Sequence, residues 1–159
     1  VALGVAAVVV VVDQVTKALA LEHLGPGRTH VLGPFGFALG YNTGSAFSLF
    51  TGHAVWLGLL VVVLVAVLAA LAWRAGSTLL AVALGLMIGG ALGNLSDRLF
   101  RGHHGAVVDF VTLTHWPTFN VADAAITAGA VLVVIALLVR PATLAAPGVA
   151  SGETGPHND

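Results

Sequence analysis

Four stretches of this 159-residue chain are too long and too apolar to be covered by a water-facing surface, and they dictate a membrane fold. A spanning helix needs about 20 mostly apolar residues at roughly 1.5 Å of rise each. Residues 54–73 carry no charge, residues 78–95 are about as long, and residues 121–139 hold one acid, Asp123, near their start. Residues 1–24 are apolar as far as Val12, and then Asp13, Gln14 and Lys17 intrude before residues 18–21 resume the pattern. Composition agrees: 58% of the chain is hydrophobic and 8% charged, where a soluble domain carries about 25% charge. The expectation is one all-α membrane domain over residues 1–140, with spans at about 1–24, 54–73, 78–95 and 121–139.

The first segment also has the look of a cleavable signal peptide, because Ala18-Leu19-Ala20 resembles a cleavage site. Asp13 and Lys17 lie too close to that site, however, and four helices make a better bundle than three. Four residues apart, the two charges share a helix face and can pair. Charges on a spanning helix normally face a bundle interior or an aqueous edge. The chain opens at Val1 inside an apolar run, so further residues are expected before it. Gly85, Gly89 and Gly93 form two overlapping GxxxG steps, which read as close helix packing.

Two connections are long, residues 25–53 and 97–120, and residues 73–78 form a short turn with Arg74. With four spans, both long connections share one side, and both termini lie with the short turn on the other. The first long connection is Gly-rich, with strand-like stretches at residues 29–32 and 35–41, so a small β-like region outside the bilayer is expected. Shortening residues 33–40 is expected to weaken substrate binding more than it disturbs the fold. Arginines do not decide the orientation, since Arg74 and Arg140 lie on one side and Arg28, Arg98 and Arg101 on the other. Residues 141–159, rich in Pro, Ala and Gly, read as a disordered tail.

The chemistry-bearing residues gather at one end. Asp13 and Lys17 approach it from the first span, Asn42 lies in the first long connection, and Asn94, Asp97 and Arg98 end the third span. Asp109 follows, and Asn120 and Asp123 open the fourth. As one helix, Asp109 and Asp123 would stand about 21 Å apart, but Pro117 breaks such a helix and lets the chain fold back. Asn120 suits an N-cap with Asp123 at the third helical position, so a purely structural capping role is open to Asp123. Asp97 beside Arg98 reads locally as a surface ion pair. Two carboxylates that share a site cannot easily both ionise, which supplies an acid and a base together. The helix N-terminus favours Asp123 as the base.

Other chemistries fit less well. The chain has no cysteine and a net charge of −1 without basic runs, so thiolate chemistry and nucleic-acid binding have no support. Among seven histidines, the adjacent His103 and His104 lack metal-site spacing and His115 stands alone, so no metal or other cofactor is expected. Ser45 and Ser48 lack the motif of a serine nucleophile. An ion-coupled carrier would use acids with Asn partners, but these acids cluster at one boundary and leave no through-path. A non-catalytic assembly factor would need one acid of the pair to be dispensable.

Five blocks occur in order: Asp13-Gln14-x-x-Lys17, Tyr41-Asn42-x-Gly44-x-Ala46-Phe47, Gly93-Asn94-x-x-Asp97-Arg98, Val107-Val108-Asp109-Phe110 and Phe119-Asn120-x-Ala122-Asp123. With four spans between them, the chain resembles the bacterial lipoprotein signal peptidases (signal peptidase II), a family of membrane aspartic peptidases. The resemblance implies that Asp109 and Asp123 are the catalytic pair. It implies that Asn42, Gly44, Asn94, Arg98 and Asn120 support it, and that Asp13 and Lys17 have a structural or substrate-positioning role. Ser45 and Tyr41 depart mildly from the family pattern. The implied substrate is a prolipoprotein with a diacylglyceryl-modified cysteine, cut just before that cysteine. The implied setting is the bacterial cytoplasmic membrane, with the site near the extracytoplasmic face, both termini and the tail cytoplasmic, membrane lipid as neighbour and a monomer as the working unit.

Overall fold

A computed structural model of the chain describes residues 1–25, 30–32, 34–43, 54–103 and 105–139. Its helices are α1 (Ala2–His23), α2 (Ala54–Trp73), α3 (Thr78–Phe100) and α4 (Val121–Leu138), and its strands are β1 (His30–Leu32), β2 (Phe35–Asn42), β3 (Val107–Leu113) and β4 (Trp116–Phe119). Three of the helices, α1, α3 and α4, are long and apolar enough to cross a membrane. The fourth, α2, is apolar over Gly58–Trp73. The chain is a multi-pass membrane protein. Gly44, Arg28, Ser45, Ser48, His104, Arg140 and the tail lie outside the described residues.

Helix α3 is the hub, packing against α1, α2 and α4. Its glycines face two ways. A Cβ on Gly85 would stand 2.6 Å from Ala2 O, and one on Gly89 would stand 2.6 Å from Val9 Cβ, both on α1. Gly90 faces Ala122 and Ile126 on α4, and α4 returns the contact with Gly129 against Ala83 and Met87 of α3. Backbones this close gain dispersion contact that Leu-on-Leu packing would forbid, which matters where lipid supplies no hydrophobic drive between helices. The outward faces are apolar: Val8, Val11 and Val15 on α1, Leu60 and Val63 on α2, and Val131 and Leu138 on α4 are exposed. Ser77 caps α3 by accepting from Leu80 N at 3.2 Å. The helix then runs to Phe100, past the expected end at residue 95, and carries Asn94, Asp97 and Arg98 in its last turns.

Both long connections contribute to one antiparallel sheet, in the order β1-β2-β3-β4. Pairing of Asn42 with Val107, Tyr41 with Val108 and Gly40 with Asp109 puts the two connections at the same end of the bundle, as expected. The second connection, expected only as a loop, is a hairpin. His115 makes its turn at φ 67, and Pro117 sits on the edge strand β4, where a missing N–H is tolerated. β2 lies inside the sheet, between β1 and β3, so residues 35–40 are structural. Shortening residues 33–40 would remove part of the strand that pairs with β3, so such a change acts on the fold as well as on any binding role of this connection.

Candidate active site

Asp109 and Asp123 reach the same place from different elements, one from the middle of β3 and the other from the first turn of α4. Two asparagines tie them together. Asn120 Nδ2 donates to Asp109 Oδ1 at 2.7 Å and to Asn94 Oδ1 at 3.1 Å, while Asn94 Nδ2 donates to Asp123 Oδ1 at 2.8 Å. Val108 O, 3.2 Å from Asn120 Nδ2, shares one of the two amide hydrogens and holds the amide against β3. With Oδ1 of Asn120 accepting from Asp123 N at 3.0 Å, both ends of the amide are engaged, and Asn120 is fully buried.

The expected N-terminal cap of α4 forms as a complete capping box, since Asn120 N also donates to Asp123 Oδ2 at 3.2 Å. Capping and pairing are therefore not alternatives for Asp123: one oxygen caps the helix while the other takes the Asn94 bond. Asp123 is half-buried. It lines an open groove of about 530 Å³ with Leu113, Trp116, Phe119 and Thr127. Asp109 is 1% exposed, and its Oδ2 has no hydrogen-bond partner among the described residues. Burial, then the charge of Asp123, pushes the Asp109 carboxyl up to about 6, against the pull of the Asn42 and Asn120 amides and the more distant Lys17. Asn42 reaches the pair from the end of β2.

Arg98 donates from Nη1 to Asn94 O at 3.3 Å, and its guanidinium lies within electrostatic reach of Asp123, Asp97 and Asp109. Its Nε is buried with no partner among the described residues. Asp13 and Lys17 pair at 2.8 Å, as their spacing implies, and both are fully buried. The surface ion pair expected of Asp97 and Arg98 is corrected. Asp97 is fully buried and pairs with Lys17 at 2.9 Å and Arg101 at 2.7 Å. The helical period explains this, because residues one apart diverge around a helix while residues four apart share a face. Gln14 and Arg101, not singled out as site residues, close this layer. Gln14 Nε2 donates to Asp97 Oδ1 at 3.0 Å and to Gly93 O at 3.1 Å, and Arg101 Nη2 donates to Gln14 Oε1 at 2.8 Å. The i, i+4 spacing of Asp97 and Arg101 is the sequence signal that marks the pair.

His103 stacks on Tyr41 with ring centroids 4.7 Å apart. Among the described residues, no group of three or more His, Asp and Glu side chains is placed to hold a metal ion.

A family model described as signal peptidase (SPase) II matches residues 5–139. A lipoprotein signal peptidase of Pseudomonas paraeruginosa (strain DSM 24068 / PA7) is 43% identical over 148 residues, covering 84% of this chain and 85% of that one. One of Rhodococcus jostii (strain RHA1) is 44% identical over 144 residues, covering 85% and 71%. The fold matches a bacterial membrane enzyme solved by the in meso method at 1.9 Å, with a TM-score of 0.78 and 28% identity over 88% of this chain and 94% of the other. A second such structure, at 2.3 Å, gives a TM-score of 0.76 and 29% identity over 86% and 87%.

Proposed function

The chain belongs to the signal peptidase II family, and we propose that it is a membrane aspartic endopeptidase that removes the signal peptide from diacylglyceryl-modified prolipoproteins. The observation that carries the mechanism is the Asn94–Asn120 bridge, which holds two acids in unlike surroundings on one hydrogen-bonded frame. Asp109, buried and raised to about 6, is suited to keep a proton. Asp123, half-buried in the first turn of α4 and open to the groove, is placed to act on a water held there.

In the proposed step, Asp123 takes a proton from water as the water oxygen attacks the scissile carbonyl carbon, and Asp109 gives its proton to the carbonyl oxygen. Collapse of the tetrahedral species breaks the C–N bond, with the proton now on Asp123 passing to the leaving amine and a proton of the diol returning to Asp109. Arg98, whose guanidinium feels both acids, and Asn42 would orient the peptide, together with Gly44. The apolar groove beside Asp123, walled by Leu113, Trp116 and Phe119, suits an apolar segment that remains in the bilayer. The bond cut is the one just before the lipidated cysteine.

This reading takes α2 as a fourth span and residues 1–140 as one peptidase domain in the cytoplasmic membrane. The sheet lies at the extracytoplasmic face, both termini and residues 141–159 are cytoplasmic, and the working unit is a monomer. The test is incubation of the purified chain in liposomes, with a chelator, with one prolipoprotein in diacylglyceryl-modified and unmodified forms. Product masses that place a cut before the modified cysteine, and no cut in the unmodified form, support the reading. Equal cleavage of both forms, or of neither, overturns it.

A further inference from the structure

One residue before each proposed catalytic acid, a backbone N–H is gripped by a different carboxylate. Ala122 N donates to Asp13 Oδ1 at 2.9 Å, immediately before Asp123. Val108 N donates to Asp97 Oδ2 at 3.1 Å, immediately before Asp109. A single ammonium joins the two carboxylates: Lys17 Nζ lies 2.8 Å from Asp13 Oδ2 and 2.9 Å from Asp97 Oδ2. Its third donor goes to Asn94 Oδ1 at 3.0 Å, on the amide that bridges the catalytic pair.

Asp13, Lys17 and Asp97 are all fully buried. Desolvating three charges is costly, and well-packed apolar residues in place of a buried charged triad are often as stable or more so. Stability alone therefore does not account for them; directional hold on the two backbones does. Asp13 ties the first turn of α4 to α1, and Asp97 ties β3 to α3. We propose that Asp13, Lys17 and Asp97 form a clamp that sets the placement of Asp109 relative to Asp123, with all three acting as positioning residues. The clamp rests on the assignment of those two acids as the catalytic pair.

Gly93 gives the clamp its room. A Cβ there would stand 2.6 Å from Asp13 Oδ2 and 3.1 Å from its Cγ, so Gly93→Ala displaces the carboxylate while leaving every charge in place. The third glycine of the stripe thus makes space for a functional group and not only for a neighbouring helix.

The test compares Asp13→Leu, Asp13→Asn, Gly93→Ala and Lys17→Met with wild type in detergent. Cleavage rates are taken per folded enzyme, with folding measured by circular dichroism. Misplacement of a reacting group by about 1 Å costs on the order of 100-fold in rate. Asp13→Leu and Gly93→Ala are expected to lower kcat by about 10- to 100-fold with KM within about twofold of wild type. Asp13→Asn, which keeps an oxygen for the Ala122 N–H, is expected to recover about tenfold over Asp13→Leu. Lys17→Met additionally moves the Asp109 limb of the pH profile upward, because a nearby positive charge favouring the ionised form is gone. If Asp13→Leu or Lys17→Met does not fold, Gly93→Ala decides the matter. Wild-type kcat in the folded variants, or a rise in KM alone, overturns the clamp while leaving the catalytic pair standing. Cleavage that survives in Asp109→Asn or Asp123→Asn overturns the pair, and the clamp with it.

Discussion

Replacing Asp109 with Asn should change how stability depends on pH, with a sign opposite to that of an ordinary ion-paired aspartate. Its carboxyl rises from 3.8 to about 6 in the folded chain, first through burial and then through the charge of Asp123. Below about pH 3.8 it is protonated both folded and unfolded, and contributes nothing. Between that value and about pH 6 the unfolded chain gives up the proton first, so wild-type stability falls as pH rises. Above about pH 6 the whole penalty is present, on the order of 3 kcal/mol at about 1.36 kcal/mol per pH unit. Asp109 is 1% exposed, so solvent screens little of it. The variant cannot ionise there. Its stability relative to wild type should rise by about 3 kcal/mol between roughly pH 3.5 and pH 7.5. Any fixed cost of repacking the amide cancels in that comparison. Denaturant unfolding in detergent, followed by tryptophan fluorescence across the pH series, measures it. A difference that stays flat with pH, or shrinks as pH rises, refutes the reasoning.

In the proposed mechanism the same carboxyl is the catalytic acid. The kcat/KM of wild type should fall as pH rises through about 6, where the proposed acid is lost. Asn120→Ala should move that limb up by roughly one pH unit, because its amide favours the ionised form; a downward move in the pH–rate profile would contradict this. Asn94→Leu removes the 2.8 Å bond to Asp123 and should lower kcat by about 10- to 100-fold, the worth of a hydrogen bond to a charged group, with wild-type steady-state kinetics counting against it. Gly90→Leu, driven into the backbone of α4 at Ala122, should abolish the folded state, as read by circular dichroism. Ser77→Ala should cost about 1 kcal/mol in denaturant unfolding through loss of the α3 cap, with kcat unchanged.

The helices were legible because the chain is apolar over lengths that only a span explains, and because Asn120 and Asp123 stand three apart at a helix start. The chemical residues were legible as a group, since Asp13, Asn94, Asp109, Asn120 and Asp123 fall at corresponding ends of different segments. The way they join was not. Asp97 beside Arg98 reads as a local pair, whereas the i, i+4 spacing turns its carboxylate onto Arg101 and only the packing of α3 against α1 brings it to Lys17. The hairpin of β3 and β4 escaped notice because its strands are short and one holds Pro117, and its partner β2 lies more than sixty residues earlier. Gly93 looked like packing, since no sequence pattern records that the atom opposite a glycine is a carboxylate oxygen.

The central claim is that Asp109 and Asp123 act together on one water, and single amide substitutions test it most directly. Cleavage of a diacylglyceryl-modified prolipoprotein would be followed in liposomes with a chelator present, for wild type, Asp109→Asn and Asp123→Asn, each confirmed as folded. The account predicts cleavage by wild type and none above background in either variant. Cleavage near the wild-type rate in one of them would contradict it and remove that residue from the catalytic pair.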